Sequence, residues 1–147
     1  MQSFFHKITK LNCGWNNVPL TEEAFYALAR SHKITIQFMP LRVAGFYTCD
    51  DKKHYIALNN SLRPLQLLFT MWHEFGHFLM HSPSTDAVSH FCGSEHHSRD
   101  EKEADAFAYC ALLPLESLKV MEPEEGWEIY GSTFFLEILA VYERYGI

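Results

Sequence analysis

Apolar and polar positions along the chain follow two periods, and each change of period marks a new element. In LTEEAFYALARSH, residues 20–32, apolar side chains recur at helical spacing. Thr21 stands at the N-cap position and two acids fill the first turn, so this stretch predicts a helix. ITIQFMPL, residues 34–41, alternates and opens on β-branched residues, which predicts a strand. VAGFYTCDDKKHYIALNN, residues 43–60, holds two apolar runs around the turn CDDKK and predicts a hairpin. The strand around HYIALNN is expected at a sheet edge, where an extended peptide could add as a further strand. RPLQLLFTMWHEFGHFLMHS, residues 63–82, predicts a long helix, with Pro64 in its first turn and Pro83 just past its end. PSTDAVSHFCGSEHHS, residues 83–98, is polar and mixed and predicts irregular structure. RDEKEADAFAYCALL, residues 99–113, predicts a second strong helix stopped by Pro114. After a short acidic stretch, STFFLEILAVYERYGI, residues 132–147, predicts a closing helix capped by Ser132, its apolar stripe facing the core. Helix, small sheet, then helices is the order of an α+β domain with helices packed on one sheet.

Composition bounds this picture. The 147 residues suit a single domain over 1–147. A chain of that size buries enough surface to fold without disulfide staples. The net charge of −6 and the lack of any Lys/Arg cluster argue against direct nucleic-acid binding. No apolar run approaches the roughly 18 residues that span a bilayer. Cys13, Cys49, Cys92 and Cys110 form no C-x-x-C pair, and the start MQSFFHKITKL lacks a signal peptide's apolar core. These features predict a cytoplasmic protein with free thiols.

The chemistry lies in two of the helices. TMWHEFGHFLMH, residues 70–81, places His73, Glu74, His77 and His81 in a run that is otherwise apolar. Burying such groups unpaired is costly. His73 and His77 are spaced i, i+4, so both rings project from one face and can hold one zinc ion. Glu74 beside them is better placed to hold a water than to ligate, the H-E-x-x-H arrangement of zinc proteases. Leu67, Leu68, Phe69, Trp72, Phe75, Phe78 and Leu79 wrap most of this helix, so it is expected to be buried. The alternative, surface histidines on an amphipathic helix, does not suit that pattern. A catalytic zinc site wants a third protein ligand. Glu101 and Asp105, spaced i, i+4 in EKEAD, offer one group for the metal and one for the outer N–H of a ligand histidine. Ala104 and Ala108 permit close approach of the two helices, and mid-helix Gly76 calls for a close neighbour. His81 is turned about 80° from His73 and reads as a helix C-terminal residue favoured by the dipole. Cys92, His96 and His97 could form a second zinc site, but their spacing fits no recognised set. Tyr47, Tyr55, His90, His96 or His97 could polarise a substrate carbonyl.

FTMWHEFGHFLMH followed by EKEADAFAYCALLP resembles the ImmA/IrrE family of zinc metallopeptidases, as does YIALNNSLRPLQLLFT upstream. The resemblance covers residues 43 to 114. It implies a small α+β, zincin-like metalloprotease fold with zinc bound by His73, His77 and Glu101. It also implies Glu74 as the catalytic acid/base and Asp105 as support for a ligand. The implied substrate is a helix-turn-helix transcriptional repressor encoded nearby. The first forty residues carry no motif, and Trp72 stands where the family usually has a small residue. Glu103, about 200° around the helix from Glu101, cannot face the metal with it. Its carboxylate is expected to meet solvent or a nearby cation. The rival reading is a metal-dependent interaction module that sequesters a regulator without cleaving it. An intact Glu74 argues against that, since a pure binder has no use for a general base.

Overall fold

The computed structural model describes residues 13–81 and 98–145. Its elements are helix α1 (Glu22–Ser31), strands β1 (Ile34–Met39), β2 (Gly45–Asp50) and β3 (Lys53–Asn59), then α2 (Pro64–His81), α3 (Ser98–Leu112), α4 (Leu115–Val120), α5 (Pro123–Tyr130) and α6 (Ser132–Tyr145). This is the α+β architecture that the periodicity predicts. The stretch 83–97 falls outside the described residues, and with it Cys92, His90, His96 and His97.

The Thr21 hydroxyl caps α1 by accepting the Ala24 N–H at 3.1 Å. The hairpin turn is tighter than CDDKK suggests. Only Asp51 and Lys52 lie outside the strands, both with positive φ (50° and 63°), as a two-residue turn between twisted strands requires. The strand order is β1-β3-β2, with β1 parallel and β2 antiparallel to β3. The expectation of HYIALNN at a sheet edge is therefore wrong, because β3 is the central strand. Its sequence already carried the reason. Ile56, Ala57 and Leu58 are all buried, and an uninterrupted apolar run suits a strand covered on both faces. Among the described residues the edge strands are β1 and β2.

Helix α2 lies across the sheet face that carries Tyr47, His54 and Ile56. Phe78 meets the rings of Tyr47 and His54 there. Gly45 lets α2 come close, since a Cβ there would stand 2.8 Å from a Thr70 methyl. Against its other side packs α3, through Ala104, Phe107, Ala108 and Ala111, all fully buried. Gly76 faces this seam. A Cβ on it would meet Phe107 at 3.2–3.4 Å, so the close neighbour that a mid-helix glycine calls for is α3. Trp72 points away from the histidines into the core, edge-on to Phe25 and Phe75. The large side chain thus fills the interior behind the site and does not crowd it.

The segment before α1 is tied to the back of α3. Trp15 donates its indole N–H to the Phe107 carbonyl at 2.9 Å, and Leu20 N–H reaches the Ala111 carbonyl at 2.8 Å. Asn16 accepts from both Leu115 N–H and the Tyr142 hydroxyl. Helices α4 and α5 occupy the acidic stretch that shows no clear period in the sequence. Gly131, at φ 83°, ends α5, and α6 starts at Ser132 itself, with Phe135 N–H bonded to the Gly131 carbonyl. Ser132 is thus the first helical residue and not the cap.

Candidate functional site

The i, i+4 spacing on α2 brings His73 Nε2 and His77 Nε2 to 3.2 Å. Across the seam the Glu101 carboxylate straddles them, with Oε2 3.1 Å from His73 Nε2 and Oε1 3.0 Å from His77 Nε2. One turn along α3, Asp105 Oδ1 lies 2.8 Å from the outer nitrogen, Nδ1, of His73. That pair is close in distance but not aligned as a good hydrogen bond, since Nδ1 has no satisfied partner among the described residues. Glu74 stands slightly apart, its Oε2 3.9 Å from His73 Nε2. The five residues singled out in the sequence therefore meet in one place.

This donor set fits a metal ion. Ligands about 2.0–2.1 Å from one tetrahedral ion stand about 3.3–3.4 Å from each other. The His73, His77 and Glu101 atoms are separated by 3.0–3.2 Å. Glu101 Oε1 is buried without an aligned hydrogen-bond partner among the described residues, as a ligand atom turned towards an ion would be. Donor atoms of His73, Glu74 and His77 also fall within 4.8 Å of one another. Of the two acids, Glu101 is the better third ligand, because it touches both imidazoles while Glu74 is 3.9 Å from the nearer one.

Electrostatics separates the two glutamates. Burial above all pushes the Glu74 carboxyl up to about 8, with Glu101 and Asp105 adding to the effect. His73 and the Tyr47 backbone N–H oppose it without prevailing. Burial also works against charge on Glu101, but contacts with His73 and His77 overcome it and hold its pKa at about 2. Burial disfavours a charged His73, yet Asp105 and Glu101, aided by Glu74, raise it to about 10. Burial pushes His77 down. Without an ion in the site, Glu101 is thus an anion between two imidazoles, that of His73 charged, while Glu74 keeps its proton at neutral pH.

A cavity of about 250 Å³ opens onto these groups. Ala44 and Gly45 of the β2 end form one wall, and Phe69 and Thr70 of α2 form another. Beside it lies an apolar hollow of about 240 Å³ that shares Ala44, Phe69 and Thr70 and extends to Leu62, Tyr109 and Phe134. Tyr47 does not reach the cavity with its hydroxyl, which bonds His54 Nδ1 at 2.7 Å on a fully buried ring. Tyr55 alternates with His54 and Ile56 and so projects from the opposite sheet face. Neither tyrosine is placed to polarise a carbonyl at this site.

Two residues had a different role in the sequence reading. His81 is not merely a helix-end residue. Its Nδ1 lies 3.1 Å from His77 Nδ1, and its Nε2 lies 3.0 Å from Glu103 Oε1 and 3.5 Å from Asp100 Oδ1. Glu103 accordingly turns its carboxylate inward, not to solvent, with Arg99 only at 3.9 Å. The signal was available in part: His81 continues the i+4 series of His73 and His77, and Glu103 precedes the buried Phe107 by one turn.

The chain matches no curated protein and no solved structure. Among the described residues no helix is long and apolar enough to cross a membrane. The profile of Peptidase_M78, described as the IrrE N-terminal-like domain, matches residues 29–145, which takes in the sheet, both helices of the site and the C-terminal helices. With nearly the whole described fold covered by that match, the chain belongs to the IrrE N-terminal-like family of peptidases.

Proposed function

We propose that the protein is a zinc-dependent endopeptidase that cuts a protein substrate, a helix-turn-helix transcriptional repressor. The observation that carries the metal reading is the Glu101 carboxylate spanning two imidazole nitrogens at 3.0 and 3.1 Å. His73, His77 and Glu101 would hold the ion, and two nitrogens with one oxygen suit zinc. Bound there, zinc would supply Lewis acidity, polarising a carbonyl and bringing a water's pKa towards 7.

The protein's own groups account for the rest. Glu74 lies beside the donors with Oε1 lacking a hydrogen-bond partner among the described residues. Beside a bound cation its carboxyl would give up the proton that burial holds on it, and the carboxylate could then take a proton from the attacking water and pass it to the leaving amine. Asp105 Oδ1, 2.8 Å from the outer nitrogen of His73, would accept its N–H once the ring turns to ligate, and so would keep the inner nitrogen towards the ion. Among the described residues strand β2 is the edge strand that starts at the cavity, so an extended substrate is expected to pair along β2, not β3. The apolar hollow around Phe69, Tyr109 and Phe134 would take an apolar side chain next to the scissile bond.

The test is to purify the wild type and Glu74→Gln, load both with zinc, and incubate each with any helix-turn-helix repressor encoded beside the gene. Wild type should yield two fragments. Glu74→Gln, which keeps shape but cannot take a proton, should bind zinc and repressor yet lose cleavage by roughly 10²–10⁴-fold or more. Near-normal cleavage by the variant would remove Glu74 as the base. Tight binding without cleavage by either protein would favour the sequestering module.

A further inference from the structure

The two proposed ligand histidines are supported differently. His73 has a carboxylate directly against its outer nitrogen, Asp105 at 2.8 Å. His77 has another histidine there, His81, at 3.1 Å between the two Nδ1 atoms. A nitrogen-to-nitrogen contact of that length needs one proton between the rings. With two protons the N–H groups would point at each other, and with none the lone pairs would.

Where the proton sits follows from the inner side of His77. Its Nε2 faces His73 Nε2 and Glu101 Oε1, the atoms assigned to the metal. A ligating imidazole nitrogen carries no proton, so the proton of neutral His77 is on Nδ1. His77 Nδ1–H therefore donates, and His81 Nδ1 accepts. The proton of His81 must then be on Nε2, where the carboxylate of Glu103 stands at 3.0 Å and that of Asp100 at 3.5 Å to receive it. Among the described residues, every nitrogen in the series has a role compatible with its neighbour, and with neutral rings one assignment of protons achieves this. His81 is 8% exposed at its side chain and Glu103 14%, so water competes poorly for these bonds.

We propose that His81, anchored by Glu103, is a positioning residue that fixes the tautomer and ring orientation of His77 for metal binding. This rests on the reading of His73, His77 and Glu101 as the ligands. The same three groups, His81, Asp100 and Glu103, have donor atoms close enough to suggest a second metal site. The proton series excludes that while His77 ligates. An ion on His81 Nε2 would force the His81 proton to Nδ1, directly against His77 Nδ1–H.

The experiment uses the zinc-loaded full chain and three variants, with zinc stoichiometry, zinc affinity by chelator competition, and ¹⁵N spectra of the histidine rings. Wild type should bind one zinc, with His77 protonated at Nδ1, His81 protonated at Nε2, and scalar coupling across the N–H···N bond between them. His81→Phe keeps ring bulk but cannot accept, and should weaken zinc by about 10–100-fold. His81→Asn puts an amide oxygen near the position of Nδ1 and should recover much of that loss, which a merely structural role would not predict. If the His73→Ala, His77→Ala double variant loses zinc while His81→Phe binds it as tightly as wild type, the positioning role fails and the ligand assignment stands. A double variant that keeps a tightly held zinc defeats both. His81 protonated at Nδ1, or a second zinc lost on His81→Phe, also overturns the positioning role.

Discussion

Between α2 and α3 lie buried Glu74 and His77 with partly buried His73, Glu101 and Glu103, while across α4–α6 the surface holds Val120, Trp127, Ile129, Leu136 and Leu139. Each region breaks the inside–outside pattern, in opposite senses. The two departures do not weigh alike. Exposed apolar side chains are common on any globular surface and cost little, whereas buried titratable groups are expensive unless something satisfies them. Here His73, Glu74 and His77 sit on a strongly apolar helix, α2, and meet the acids of α3 across a seam lined by fully buried Phe75 and Phe107. That contrast assigns chemistry to the helix pair and leaves the C-terminal helices as its cover.

The largest effect is expected from the packing that supports the polar cluster. Phe107 is fully buried, stacks on Trp15 and Phe75, and fills the space that Gly76 leaves. Phe107→Ala should cost about 3–5 kcal/mol in denaturant unfolding. A loss within the range of a surface substitution would mean the α2–α3 seam is not the core that holds the site.

The buried cluster is expected to be kept at a cost in stability. The folded pKa of Glu74 is raised to about 8 from its ordinary 4.5. The folded chain therefore retains a proton that the unfolded chain sheds, and wild type should lose stability as pH rises through that window. In metal-free protein Glu74→Gln has no such carboxylate. Its stability advantage over wild type should be larger near pH 8 than near pH 5, by on the order of 1–3 kcal/mol. A gap that does not change with pH would show that burial of Glu74 carries no such cost.

The smallest effect belongs to the other region. Trp127 is half exposed, and Trp127→Ala should change unfolding free energy by no more than about 0.5 kcal/mol and leave zinc binding intact. A change of several times that size would mean α5 is part of the structural core after all.

The same contrast governs what the sequence revealed. Helices α1, α2 and α3 were legible because each is ten residues or more and is punctuated by Thr21, Pro64 or Pro114. Their spacing put His73 and His77 on one helix face and Glu101 and Asp105 on another, and the family resemblance joined the two faces into one site. Helices α4 and α5 were missed because six and eight residues, broken by Pro123, Gly126 and Gly131, are too short to display a period. The centre of the sheet was misplaced although Ile56-Ala57-Leu58 pointed to it, because strand neighbours are set by long-range pairing. The inward turn of Glu103 was out of reach for a similar reason. Whether a carboxylate finds solvent or His81 depends on how two helices cross, which neither helix's own sequence states.

The account stands or falls on which acid completes the metal site. The direct measurement is the zinc content and chelator-competed affinity of Glu101→Ala beside Glu103→Ala, both purified without added metal and then titrated. Glu101 touches both imidazoles, so Glu101→Ala should lose tight zinc binding. Glu103 reaches His77 only through His81, so Glu103→Ala should keep one zinc with affinity weakened by about 10–100-fold at most. One tightly held zinc in Glu101→Ala, with none in Glu103→Ala, would contradict the assignment and move the metal towards the His81 side of the helix pair.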